Sequence, residues 1–151
     1  MPTAWRLTKA RFLEMAWDGE GARRSGGRWN SPGTPVVYTS ASLALALVET
    51  LVHLPAGLLP AYTAVPIEFD DAMVLVLDDA DLPPDWMSPR PPASTKALGD
   101  AWIAAATTAL LRVPSVVVPT EHNYLLNPAH ANARLVRRGP PMPFPFDPRL
   151  L

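Results

Sequence analysis

The amino-acid sequence predicts an α+β domain, a mixed β-sheet core with flanking helices, and two observations carry that expectation. Apolar stretches of strand length recur at Thr3 to Thr8, Val36 to Thr39, Tyr62 to Phe69, Met73 to Leu77 and Val116 to Val118. Two longer stretches repeat their apolar residues at helical spacing, one from Ser40 or Ser42 to about Leu54 and one from Ser94 or Thr95 to about Arg112. A chain of 151 residues makes one ordinary domain that buries about two-thirds of its unfolded surface, so residues 1–151 are expected to form one unit.

In chain order, Trp5 and Leu7 fall on one face of the first strand and Arg6 on the other. Arg11 to Arg24 lacks periodicity and reads as a mobile loop anchored by Trp17, with Arg23 and Arg24 as surface charges. Three glycines and two prolines then mark a loop from Ser25 through Pro35, which leads into the second strand and, without a spare residue, into the first helix. On that helix Leu43, Ala44, Leu45, Leu47, Val48, Leu51 and Val52 cover one broad arc, and Glu49 lies outside it with Ser42, Ala46, Thr50 and His53. Pro55 and Gly57 stop the helix. Pro66 argues for an edge position or a bulge in the third strand. Asp78 to Pro92, with four aspartates and five prolines, reads as a long irregular connection. The second helix presents Leu98, Trp102, Ile103, Ala106, Leu110 and Leu111 as its apolar side and looks like scaffold. Ser115 sits at the mouth of the buried strand Val116 to Val118, outside any Gly-x-Ser-x-Gly elbow. Glu121 to Tyr124 reads as a polar irregular loop and Asn127-Pro128 as a turn. The Pro-rich segment Gly139 to Leu151 is expected to be extended and to pack by Phe144 and Phe146, or to fray.

Composition limits the function classes. A formal net charge of −1 supplies no field for a polyanion, so direct nucleic-acid binding is not expected and a small anion is the more natural partner. The absence of cysteine excludes disulfides and thiolate metal sites, and the three histidines do not repeat at ligand spacing, so no metal is expected. The N-terminal residues lack an apolar signal core and no run approaches the roughly 18 apolar residues of a membrane span, which points to a cytoplasmic protein.

Chemistry concentrates between Ser25 and Leu54, where Arg28 lies in the loop, Tyr38 near the end of a strand and Glu49 in mid-helix. Gly-Gly-Arg-Trp-Asn, Val-Val-Tyr-Thr-Ser and Ala-Leu-Val-Glu-Thr-Leu-Val-His-Leu, followed by Val113-Pro114-Ser115 and Glu121-His122-Asn123-Tyr124-Leu125-Leu126-Asn127-Pro128, resemble in order the signature blocks of the RES-domain toxins. The blocks spread from about Trp5 to about His130. The arginine, glutamate and serine for which that family is named fall at Arg28, Glu49 and Ser115.

The resemblance implies an ADP-ribosyltransferase-like fold, NAD as the substrate, and a cognate Xre-like antitoxin as partner, with room for a homodimer inside the complex. It implies that Glu49 holds the nicotinamide ribose and faces its developing cation, that Tyr38 stacks on the nicotinamide ring, and that Arg28, helped by Arg6, pairs with the pyrophosphate. Ser115 and Asn127 are expected as further substrate contacts. Hydrolysis or phosphorolysis of the nicotinamide–ribose bond and transfer of ADP-ribose to a protein all fit that site. Three other readings stay open on the residues: a two-carboxylate glycosidase pairing Glu49 with Glu68 or Glu121, a ribonuclease using His53 or His122, and an inactive module that only binds a partner.

Overall fold

Alternation of side chains along short strands organises the whole molecule. The computed structural model describes residues 1–54 and 60–150, so Pro55 and Gly57, expected to stop the first long helix, lie outside the described residues. Among the described residues eight strands form one sheet: β1 (Thr3–Lys9), β2 (Val37–Ser40), β3 (Tyr62–Glu68), β4 (Val74–Val76), β5 (Leu110–Pro114), β6 (His122–Leu126), β7 (Arg137–Arg138) and β8 (Met142–Phe144). Their order is β4-β5-β6-β2-β1-β3-β7, with β8 also paired to β3. The β4–β5 pair is parallel and the other pairs are antiparallel, so the sheet is mixed. Because successive residues point to opposite faces, Val37, Leu110 and Leu126 enter one buried cluster with Ala4, Ile67 and Phe69. Their neighbours Leu111 and Leu125 enter a second with Trp29, Val36, Trp102 and Val113.

Among the described residues three α-helices accompany the sheet: α1 (Glu20–Ser25), α2 (Leu43–His53) and α3 (Ala93–Ala105). Ser42 caps α2, its hydroxyl accepting from the Leu45 amide at 3.0 Å. Within α2, Leu45 and Ala46 are buried whereas Val52 is 59% exposed. Leu45 belongs to the expected apolar arc and Ala46 to the narrow side beside Glu49, so the face turned inward straddles the two. The α1 turn replaces part of the mobile loop expected over Arg11 to Arg24, held by bonds from Arg23 and Arg24 to Glu20 one turn away. Trp17 does anchor the segment, against the first cluster and under the Arg138 guanidinium at 4.9 Å.

Two expected elements are corrected. α3 stops at Ala105, with Ala106 left-handed at φ 51°, and Leu110 to Pro114 is a strand rather than a last helical turn. Thr107 and Thr108 are poor helix formers, and the apolar run after them is inserted between β4 and β6. Val116 to Val118 is not a strand: the Ser115 hydroxyl accepts from the Val117 and Val118 amides at 3.2 and 3.1 Å, which bends the chain there. The paired strand is β6, in the segment expected as a polar loop. Pro66 sits neither at an edge nor in a bulge: β3 is paired to β1 along its whole length in unbroken register, while on its other side the partner changes from β7 at Ile67 to β8 at Ala64. Proline, which has no amide to donate, occupies the gap, and its carbonyl accepts from Gly139 at 2.8 Å. The C-terminal segment packs through Phe146, edge-on to Tyr62 and to Phe144.

Candidate active site

Glu49 is the centre of a hydrogen-bonded cluster drawn from four elements. Its Oε1 accepts from the Ser115 hydroxyl at 2.6 Å and from the Asn123 amide at 3.0 Å. Among the described residues Oε2 receives no hydrogen bond. Ser115 is fully buried, and with two backbone amides donating to its oxygen its proton is committed to the carboxylate. That arrangement makes it a holder of Glu49, not a nucleophile. The Asn123 carbonyl in turn accepts from the Ser40 hydroxyl at 2.8 Å, a contact set by the β2–β6 register that places Ser40 opposite Asn123. Sequence reading missed Asn123 and Ser40 as members of the site. The signal was the alternation His122, Asn123, Tyr124, Leu125, which as a strand puts Asn123 on the Leu125 face.

Arg28 reaches the site from the loop before β2. Its Nη1 donates to the Trp86 and Ser88 carbonyls at 3.0 and 2.7 Å, and its Nη2 to the Pro89 carbonyl at 3.3 Å. The planar fork expected to take a pyrophosphate thus clasps the Pro-rich connection in this structure. Burial pushes its pKa down, and the nearby Glu49 carboxylate acts the other way. The Arg28 carbonyl accepts from Thr95 at 2.6 Å, and Asp100 accepts from the Ser31 amide at 2.9 Å, so α3 fixes the loop's backbone.

Tyr38 is held by its hydroxyl, which donates to Asn30 Oδ1 and accepts from the Trp29 amide at 3.2 Å. Burial pushes that hydroxyl's pKa well above its ordinary value, so it remains a donor at neutral pH. Gly27 permits the contact: a Cβ there would lie 2.6 Å from the Tyr38 hydroxyl oxygen. Asn30 is itself fully buried and donates to the Ala22 and Thr34 carbonyls.

The other expected ligands lie elsewhere. Arg6 donates to the Ala16 carbonyl at 2.9 Å and the Tyr38 carbonyl at 3.0 Å. Burial lowers its pKa to about 10, partly offset by Asp18, so it stays charged while bracing β2 and the segment before α1. Strand alternation puts it on the face opposite Trp5, which pairs with Ser40. Asn127 is at the far end of β6 from Asn123, where its side chain accepts from the Ala129 amide and its own amide donates to Ala109; it shapes the turn before Pro128 and does not join Glu49. Glu68 is exposed and 3.9 Å from Arg137, and the Glu121 side chain is exposed, while neither carboxylate shares a hydrogen-bond partner with Glu49 among the described residues. His53 is exposed at the end of α2. His122 lines a cavity of about 360 Å³ with Arg112, Asp78 and Asp79, across the sheet from Asn123, and burial together with Arg112 pushes its pKa down. Among the described residues no three His, Cys, Asp or Glu gather as a metal site, and no helix is long and apolar enough to cross a membrane.

The RES domain family matches residues 3–147. This chain is a member of the RES-domain family. Among its relatives are Toxin Res of Yersinia enterocolitica, 38% identical over 148 residues that cover 97% of either chain, and the Prs ADP-ribosylating toxin of a Sphingobium species, 39% identical over 153 residues covering 97% of this chain and 95% of the other. The same fold occurs in the crystal structure of the M. tuberculosis MbcT-MbcA toxin–antitoxin complex, with a TM-score of 0.73, 22% identity, and coverage of 94% of this chain and 83% of that one. In this RES domain Glu49 and Ser115 are bonded to one another, while the Arg28 guanidinium donates to the Trp86 and Ser88 carbonyls.

Proposed function

We propose that this RES-domain protein is the toxin of a toxin–antitoxin pair and consumes NAD by breaking the nicotinamide–ribose bond. The observation that carries the reading is Glu49, a carboxylate fixed through one oxygen by Ser115 and Asn123 with its other oxygen unclaimed among the described residues. When the C–N bond breaks, its electron pair passes to the pyridinium nitrogen, nicotinamide leaves neutral, and positive charge grows on the ribose. A preorganised negative group stabilises that charge, and a leaving group that is already cationic needs no strong acid. The acceptor, which is water, phosphate or a protein nucleophile, then bonds to the ribose carbon and gives up its proton.

Arg28 would serve the diphosphate by exchanging the carbonyls of Trp86, Ser88 and Pro89 for phosphate oxygens, which a planar guanidinium takes in pairs. Tyr38, anchored at its hydroxyl, offers its ring to the nicotinamide. Transfer to a protein is favoured as the second reading by the relative named a Prs ADP-ribosylating toxin. The relatives named Toxin Res, and the fold shared with a toxin–antitoxin complex, support a toxin restrained by a cognate antitoxin; an Xre-like type for that antitoxin and a cytoplasmic location are part of the proposal.

The test is mass spectrometry and proton NMR of NAD incubated with the protein, with and without phosphate and with a cell extract stripped of small molecules. Free ADP-ribose, a phosphorylated ADP-ribose or a mass increase on a protein identifies the acceptor. Intact NAD in all three incubations would end the proposal. A second prediction concerns Arg28→Lys, which keeps the charge but replaces a fork by a point donor. NAD affinity is expected to fall roughly tenfold to a hundredfold, the scale of a charge-assisted contact. Isothermal titration that finds wild-type affinity would assign Arg28 to the Pro-rich connection alone.

A further inference from the structure

We infer that Asn123 is the positioning residue of the site, its NH₂ end selected by the acceptor-only carboxylate of Glu49 and its carbonyl end held by the Ser40 hydroxyl. An asparagine amide has two chemically opposite ends, and an unrestrained one could turn its carbonyl toward the carboxylate. Here the Ser40 hydroxyl donates to the carbonyl end at 2.8 Å, which leaves the NH₂ end facing Glu49 Oε1 at 3.0 Å. Ser40 is buried and held opposite Asn123 by the β2–β6 ladder, so its orientation is a property of the sheet. Ser115 restrains the same oxygen from the end of β5.

Two donors on one oxygen, one from β6 and one from the bend just after β5, fix both the position and the rotation of the carboxylate plane. Either donor alone would leave the plane free to turn about the remaining bond. The consequence is that Oε2 is presented in one direction only. On the reading that this chain breaks NAD, on which the inference rests, that direction is where the ribose cation develops, and Asn123 acts on turnover through Glu49 without touching substrate.

Asn123→Asp tests this, because it keeps the shape and the acceptor for Ser40 but offers Glu49 no proton and sets a like charge beside it. NAD turnover relative to wild type is expected to fall about a hundredfold or more at neutral pH, by analogy with loss of one preorganised group, with KM changed far less. The ratio should recover as pH falls, since the introduced carboxyl gains a proton and becomes a donor. A loss that is the same at every pH would overturn the positioning role and leave a packing effect. Ser40→Ala is the milder variant should the first not fold: turnover is expected to drop about tenfold, the scale of one hydrogen bond, while an unchanged rate argues against an oriented amide. A readout independent of NAD separates this inference from the activity. If the wild type leaves NAD intact, the activity reading fails by itself, and the side-chain amide resonances of Asn123 in a ¹H–¹⁵N spectrum still report the bond. They are expected to move in Glu49→Gln, and resonances that stay in place would refute the arrangement.

Discussion

Glu49→Gln is expected to fold and to bind NAD, yet to turn it over about 10² to 10³ times more slowly, a loss of about 2.7–4 kcal/mol of transition-state stabilisation. The geometry explains why folding should survive. Both protein donors, Ser115 and Asn123, bond the same oxygen, so a glutamine can place its amide oxygen there and satisfy both. Its NH₂ then takes the Oε2 position, where the negative charge used to be. Binding should weaken much less than turnover, because the cation that needs the charge is developed only in the transition state. Rapid-quench measurement of nicotinamide release, paired with a direct binding isotherm, reads the two separately. A folded variant with the wild-type rate would remove α2 from the mechanism.

Gly99→Ala is expected to destabilise the protein by at least about 3 kcal/mol, the upper end of what overpacking of a well-filled interior costs. Helix propensity alone predicts the opposite sign, a gain of about 1 kcal/mol for alanine in mid-helix. The close approach decides between them: a Cβ on Gly99 would stand 1.5 Å from the Trp29 carbonyl oxygen and 2.6 Å from its carbonyl carbon, and backbone cannot swing aside as a flexible side chain can. For a domain of this size the loss corresponds to a fall in Tm of roughly 6–12 °C. Trp29 follows Arg28, and α3 also holds Arg28 through Thr95 and Ser31 through Asp100, so displacement of this seat should disturb the Arg28 loop as well. Differential scanning calorimetry is the check, and a Tm equal to wild type or above it would show that helix and loop are not in contact as described.

Much of the secondary structure was legible in the sequence. The α2 boundaries follow from Ser42 as cap and the apolar repeat after it, and β1, β2 and β3 lie within a residue or two of the apolar stretches that suggested them. Two of the strands missed, β5 and β6, failed for different reasons. Leu110-Leu111-Arg112 continues the helical spacing of α3 well enough to be read with it, and only the neighbouring β4 and β6 make it a strand. His122 to Tyr124 is too polar to look like a buried strand, because the face that would betray it is occupied by the site itself.

What the sequence determined by itself was a set of candidates: Arg28, Tyr38, Glu49 and Ser115 stand out by type, order and the blocks around them, and of these the structure bonds Glu49 to Ser115. Those signals are local, a cap, a period or a motif, and survive without the fold. Partnership was decided by tertiary structure alone. Glu49 meets Ser115 and Asn123 across 66 and 74 residues of chain, Arg28 meets the Trp86 and Ser88 carbonyls across 58 and 60, and Asn127, four residues from Asn123, is kept away from Glu49. In a strand four residues span about 13 Å, so the end of β6 on which an asparagine falls separates a holder of the carboxylate from a turn residue. The register of β2 against β6 sets that, and register is fixed by the burial of two whole faces at once, a property no single stretch of the chain contains.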